Sequence, residues 1–202
     1  MQKNNQLTFE FGNNFKLRKR FFHWKNHKDY KGFVIVSPSG NGKTTFLKMV
    51  QTKLTETEIV FLNGYEFLEQ IIYDIRNGSF YTSKTSSDFE HDALLVDHLD
   101  DIISCESAFE IVCCKLRNIE NNKSQNTQLI ICTFIDKNLA FAFAKKMNYE
   151  LLSLREVKPN IRIVKKAAKM FDLNDLSFAE TFSLLKSRTM FELRKNLQNH
   201  VK

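Results

Sequence analysis

The stretch SPSGNGKTT, residues 37–45, limits what this chain can fold into more than any other. It follows a continuous apolar run, FVIVS (33–37), and opens a helical pattern, KTTFLKMVQTKL (43–54). A glycine-rich turn between a buried strand and a helix leaves backbone N–H groups free at the helix start, where they converge on anionic oxygens. Gly42, Lys43 and Thr44 match the phosphate-loop pattern G-x-x-x-x-G-K-[ST], and Ser37 replaces its first glycine. Gly40 adds backbone freedom, and Gly42 lets the backbone approach a ligand with no Cβ in the way. The chemistry predicts that Ser37, Gly40, Asn41, Gly42, Lys43, Thr44 and Thr45 cradle the phosphates of a nucleotide. Within that set Lys43 reaches the terminal phosphates and the Thr44 hydroxyl ligates Mg²⁺. A strand–helix turn that binds nothing is the alternative.

The rest of the chain alternates in the same way. IVFLN (59–63), ALLVD (93–97), LIICT (129–133) and YELLSL (149–154) read as strands. Between them, 65–77, 107–120 and 137–147 read as helices, the first closed by Gly78. Short apolar runs separated by helices predict a five-stranded parallel sheet covered on both faces. After Pro159 the pattern becomes purely helical, over 161–171, 177–187 and 189–200, with Asp175 and Ser177 placed to cap the middle helix. The expected divisions are a tail over 1–31, an α/β unit over 32–158 and a small helical unit over 159–202.

The second half of a phosphate-loop site is an acid ending a strand. In ALLVDHLDD, Asp97 ends the third strand and is expected to hold Mg²⁺ together with Thr44. A hydrolytic site adds a water-orienting acid at the next position, which here is His98. Asp100 and Asp101 follow a turn later, beyond the expected reach, so weak or absent intrinsic hydrolysis is expected. Thr133, at the end of LIICT, stands beside Asp97 in the sheet and offers a hydroxyl to a γ-phosphate.

The formal net charge is +7, and much of the excess lies in FKLRKRFFHWKNHKDYK, residues 15–31. Interleaved basic and aromatic residues contact phosphates and stack on bases. They also serve as a solvated segment whose aromatics plug a core, and both readings are open. The four cysteines, at 105, 113, 114 and 132, show no C-x-x-C spacing, which argues against zinc. No signal peptide or apolar run near ~18 residues is visible, so no membrane partner and a reducing cytoplasm are expected.

The series GNGKTTF, VFLNGYEFLEQIIYDIRN, DALLVDHLDDI and LIICT resembles the AAA+ module of the bacterial initiator DnaA, over roughly residues 32–200. The resemblance implies a phosphate-loop AAA+ three-layer α/β sandwich followed by a helical lid, with ADP or ATP and Mg²⁺ as cofactors. Because the chain stops where the lid would end, it is similar to the short DnaA-related regulators of the Hda type. That family begins with a sliding-clamp-binding peptide of the form Q-L-x-L-x-L, and QLTFEF (6–11) fits it. The resemblance thus implies that Gln6, Leu7, Phe9 and Phe11 bind the clamp of DNA polymerase III, and that the partner acted on is ATP-bound DnaA. The period-2 pattern of QLTFEF also suits an edge strand of the protein's own sheet.

Two positions depart from the family pattern. The arginine finger that acts in trans falls at Lys146, or at Lys145 with a one-residue slip; lysine keeps the charge without the planar fork. The lid arginine that senses nucleotide falls at Phe191, flanked by Arg188 and Arg194. Asp97 and Lys146 are the expected catalytic residues. A helicase-loader-like ATPase and an interaction module that has lost nucleotide are the competing functions, and homodimerisation is left open.

Overall fold

The computed structural model describes residue 23 and residues 32–54, 58–80, 92–121, 129–154, 159–171, 173, 176–187 and 190–200. Strand β1 (Gly32–Val36) leads through the glycine-rich turn into helix α1 (Lys43–Lys53). Then follow β2 (Ile59–Asn63), α2 (Gly64–Arg76), β3 (Ala93–Asp97) and a 3-10 turn (Leu99–Ile102). Next come α3 (Glu106–Asn121), β4 (Leu129–Phe134), α4 (Lys137–Met147) and β5 (Glu150–Ser153). Three further helices close the described chain, α5 (Ile161–Met170), α6 (Phe178–Leu185) and α7 (Met190–His200).

The five strands form one parallel sheet in the order β2-β3-β4-β1-β5, the predicted α/β architecture. Side chains alternate across it with the period of a strand. Phe33, Ile35, Leu95 and Ile131 face Phe46, Leu47 and Val50 of α1. Val34, Val36, Leu94, Val96, Ile130 and Cys132 face a larger core built with Phe67, Leu116 and Phe143 from α2, α3 and α4. Each large side chain buried in this way contributes ~1.5–3 kcal/mol before ordering costs. Because the strands are parallel, every strand-to-helix turn emerges at the same end of the sheet. The interior place of β1, between β4 and β5, brings the loop after it to the ends of β4 and β3.

Local signals explain the helix starts. Asn63 and Glu66 form a capping box at the head of α2, and Ser177 and Glu180 form one at the head of α6. Asp175, the other expected cap, lies outside the described residues. Gly78 has φ +66°, the left-handed geometry predicted for the stop after α2. Helices α5 to α7 enclose their own apolar cluster of Val164, Ala167, Ala168, Leu184, Leu193 and Leu197.

One polar feature lies deep between helices. Lys115 of α3 and Asp74 of α2, both with fully buried side chains, form an ion pair. The Ser79 hydroxyl also donates to Asp74 Oδ1 at 3.1 Å. Among the described residues no helix is long and apolar enough to cross a membrane.

Candidate functional site

The loop between β1 and α1 has the backbone that its glycines suggest. Gly40 (φ 81°) and Gly42 (φ 89°) are both left-handed, where a Cβ would be strained. Among the described residues the positive-φ non-glycines are His98 and Asn148, so Ser37 replaces the first glycine of the motif at no conformational cost. Its N–H donates to Phe134 O at 3.2 Å and extends the β1–β4 ladder into the loop. Strand β1 ends at Val36, one residue before the predicted end.

Lys43 is 3% exposed, and its Nζ donates to Ser37 O at 2.7 Å and Pro38 O at 3.3 Å. Burial lowers its pKa below the usual 10.5, against an opposing pull from Asp97 and Asp100. Asn41 is 7% exposed, and neither its amide nitrogen nor its amide oxygen has a hydrogen-bond partner among the described residues. An unsatisfied buried amide costs about 1–3 kcal/mol, a cost relieved by a ligand that supplies polar atoms. Thr45 is half-buried in the first turn of α1.

Asp97, at the end of β3, is the floor of the site. Thr44 Oγ1 donates to its Oδ2 and Thr133 Oγ1 to its Oδ1, each at 2.5 Å. The expected partners Thr44, Asp97 and Thr133 are therefore brought together. Thr133 is fully engaged, since its oxygen also accepts the His98 N–H at 2.8 Å. A contact between the Thr133 hydroxyl proton and a γ-phosphate requires the bond to Asp97 to break.

His98 is left-handed at φ 55°, a conformation that costs a non-glycine residue about 1–3 kcal/mol. A Cβ on Gly64, the first residue of α2, would lie 2.5 Å from the His98 carbonyl oxygen. The absent side chain at Gly64 therefore lets the chain turn sharply after Asp97. His98 Nε2 stands 3.8 Å from Asp97 Oδ2, and its side chain is about one-third exposed.

Sequence reasoning placed Asp100 a turn beyond the water-orienting position, and the structure shows what it bonds. Its Oδ2 accepts the N–H groups of Ile135 at 2.6 Å and Asp136 at 3.0 Å, at the head of α4. The missed signal was the 3-10 turn, which is tighter than an α-helix and folds residue 100 back toward the strand ends.

Lys146 lies elsewhere. Helix α4 starts at the strand ends that carry the loop and runs back along the sheet. Its last turn is therefore ~15 Å from its first. There Lys146 Nζ pairs with Glu110 Oε1 of α3 at 2.9 Å, both side chains exposed, and Lys145 is exposed beside it. Lys146 thus sits away from the loop of its own chain. Arg194 of α7 is half-buried, with its Nε lacking a hydrogen-bond partner among the described residues. The side chain of Phe191 and all of Arg188 lie outside the described residues, as do Gln6, Leu7, Phe9 and Phe11 of the clamp-binding-like peptide. The basic stretch 15–31 does too, except for His23, which is exposed and helical.

Chemically, the strand-end site suits a phosphate and a divalent cation. A buried ammonium, the N–H groups of a glycine-rich loop at a helix start and the amide nitrogen of Asn41 match phosphate oxygens. A hydroxyl and a carboxylate, hard oxygen donors, match Mg²⁺.

Among solved structures, the chain is similar to the replication initiator DnaA bound to AMPPCP and single-stranded DNA, with TM-score 0.67 and 15% identity. It is also similar to AMPPCP-bound DnaA from Aquifex aeolicus, with TM-score 0.63 and 16% identity. These matches cover 92% and 90% of this chain and 60% of each initiator structure, so the chain spans about three-fifths of their length. Domain III of the Thermotoga maritima replication initiation protein DnaA matches with TM-score 0.64 and 16% identity, over 94% of this chain and 85% of that one. At such identities the likeness establishes the fold. Comparison with curated proteins gives no match. The sequence profile described as the bacterial DnaA ATPase domain matches residues 12–141, well over half of the chain. With its phosphate loop, strand-end aspartate and five-stranded parallel sheet, this chain belongs to the bacterial DnaA ATPase domain family.

Proposed function

We propose that this protein is a nucleotide-binding regulator of chromosomal replication initiation of the Hda type. In this reading Gln6, Leu7, Phe9 and Phe11 tether it to the sliding clamp, and its AAA+ face acts on ATP-bound DnaA to promote inactivation. Residues 1–31 are the tether and its basic segment, available for DNA contact. Residues 32–158 are the nucleotide-binding unit, and 159–202 the lid.

The observation that carries the reading is the make-up of the strand-end site. Lys43, Thr44 and Asp97 are the residues that binding needs, and His98 stands where a hydrolytic site has an acid. A site of this kind retains its nucleotide and hydrolyses it slowly, which suits a regulator that acts on the nucleotide of another molecule. Loop N–H groups and Lys43 hold the phosphates of ADP or ATP once Lys43 releases the Ser37 and Pro38 carbonyls. Thr44 and Asp97 hold Mg²⁺, which when bound offsets phosphate charge. Thr133 braces Asp97. Lys146, exposed at the far end of α4, offers positive charge in trans to the nucleotide of DnaA.

The test is ADP formation on ATP-loaded DnaA with clamp, DNA and this protein present. Acceleration is expected, and the pair Gln6→Ala, Leu7→Ala should remove both the acceleration and clamp retention while leaving the melting temperature unchanged. No acceleration, or undiminished clamp retention by the double variant, overturns the reading. Intrinsic turnover that disappears in Lys43→Ala would instead favour a helicase-loader-like ATPase. Failure to bind either nucleotide would favour an interaction module.

A further inference from the structure

Asp100 is outside the phosphate-loop motif and outside the strand that ends in Asp97, yet its surroundings set it in the site. One carboxylate oxygen, Oδ2, is fixed by the N–H groups of Ile135 and Asp136. The other, Oδ1, is buried and has no hydrogen-bond partner among the described residues. Potential ligand atoms of Asp100, His98 and Asp101 lie within 4.8 Å of one another, and His98 Nε2 is 3.8 Å from Asp97 Oδ2. The bland explanation, a residue that merely caps the start of α4, uses one oxygen only. An asparagine would cap equally well without placing a second negative charge near Asp97. A buried carboxylate oxygen without a donor is costly, and a water molecule can supply that donor.

We propose that Asp100 is a water-holding carboxylate of this site. Its free oxygen accepts a hydrogen bond from water in the coordination shell of the divalent cation held by Thr44 and Asp97. The inference rests on the nucleotide-binding reading above and adds a residue to it.

The test is calorimetry of ADP binding with and without Mg²⁺, on the whole chain. In the wild type, Mg²⁺ tightens ADP. In Asp100→Asn, which keeps an acceptor for Ile135 and Asp136, that Mg²⁺-dependent gain falls about tenfold, the worth of one hydrogen bond to a charged group. ADP affinity without Mg²⁺ stays the same or rises. Asp101→Asn makes the same charge change at an exposed neighbour and keeps the wild-type response. A full Mg²⁺ response in Asp100→Asn, or an equal loss in Asp101→Asn, overturns the inference and leaves nucleotide binding standing. Absence of ADP binding by the wild type overturns both. Should Asp100→Asn fail to fold, the wild type still decides by NMR. Adding Mg²⁺ to the ADP complex should shift the amide signals of Ile135 and Asp136, and unmoved signals overturn the inference.

Discussion

Asp74 and Asp97 are both buried aspartates served by a buried lysine, and the fold treats them in opposite ways. Asp74 meets Lys115 directly, and the two charges neutralise each other inside the packing of α2 against α3. Asp97 and Lys43, each 3% exposed, are instead held by neutral groups, the aspartate by two threonine hydroxyls and the lysine by two carbonyls. The first couple is closed and can only stabilise structure. The second is open: an anion for Lys43 and a cation for Asp97 would improve both environments at once. A phosphate with its divalent cation supplies both.

Breaking the closed couple should have the largest effect on stability. Lys115→Ala strands the Asp74 carboxylate in the core and is expected to cost about 3–5 kcal/mol, read from chemical denaturation. Replacing both partners with apolar residues of similar volume should restore most of that loss, and a double variant as unstable as the single one would refute this account of the pair.

The open couple should respond the other way. Lys43→Ala is expected to change stability by less than about 1 kcal/mol, since no charge bonded to it is stranded, and to abolish measurable ADP binding by calorimetry. Burial lowers the Lys43 pKa, so the cost of its charge is fully present below that depressed value and is relieved as pH rises toward 10.5. Wild-type stability should therefore gain relative to Lys43→Ala on raising pH through that window.

Gly64→Ala comes next. Its Cβ would meet the His98 carbonyl at 2.5 Å, so a loss of roughly 1–3 kcal/mol is expected, together with weaker ADP binding as the turn after Asp97 shifts. Lys146→Ala should have the smallest effect on stability, within about 0–1 kcal/mol, because the Glu110 pair is exposed. The stimulation of DnaA proposed above should nevertheless be lost in that variant, and full stimulation would remove Lys146 from the proposed mechanism.

The open couple was legible in the sequence because it obeys a spacing rule: loop, lysine, threonine, then an acid at the end of a later strand. The five strands were legible because continuous apolar runs between helices have few other solutions. Asp100 was not, because the 3-10 turn carrying it is set by how the chain leaves β3 past Gly64, which no local pattern reports. The closed couple had a signal that went unused. Asp74 follows Phe67 and Ile71 on the apolar stripe of α2, and Lys115 sits between Val112 and Ile119 on that of α3. One charge of each sign on two buried stripes foretells a pair, but only once the two helices are known to be neighbours.

The position of β1 also carries a consequence for synthesis. Its neighbours in the sheet are β4 and β5, so Gly32 waits for Ile130, about a hundred residues later, before it has a partner. Pairing over such a separation carries a large loop-closure cost and is slow. The loop after β1 leaves the ribosome well before the strand ends that brace it. A nascent chain therefore presents the phosphate-loop sequence about a hundred residues before the strand ends that brace it, and the strand-end site can assemble only after β4 has emerged.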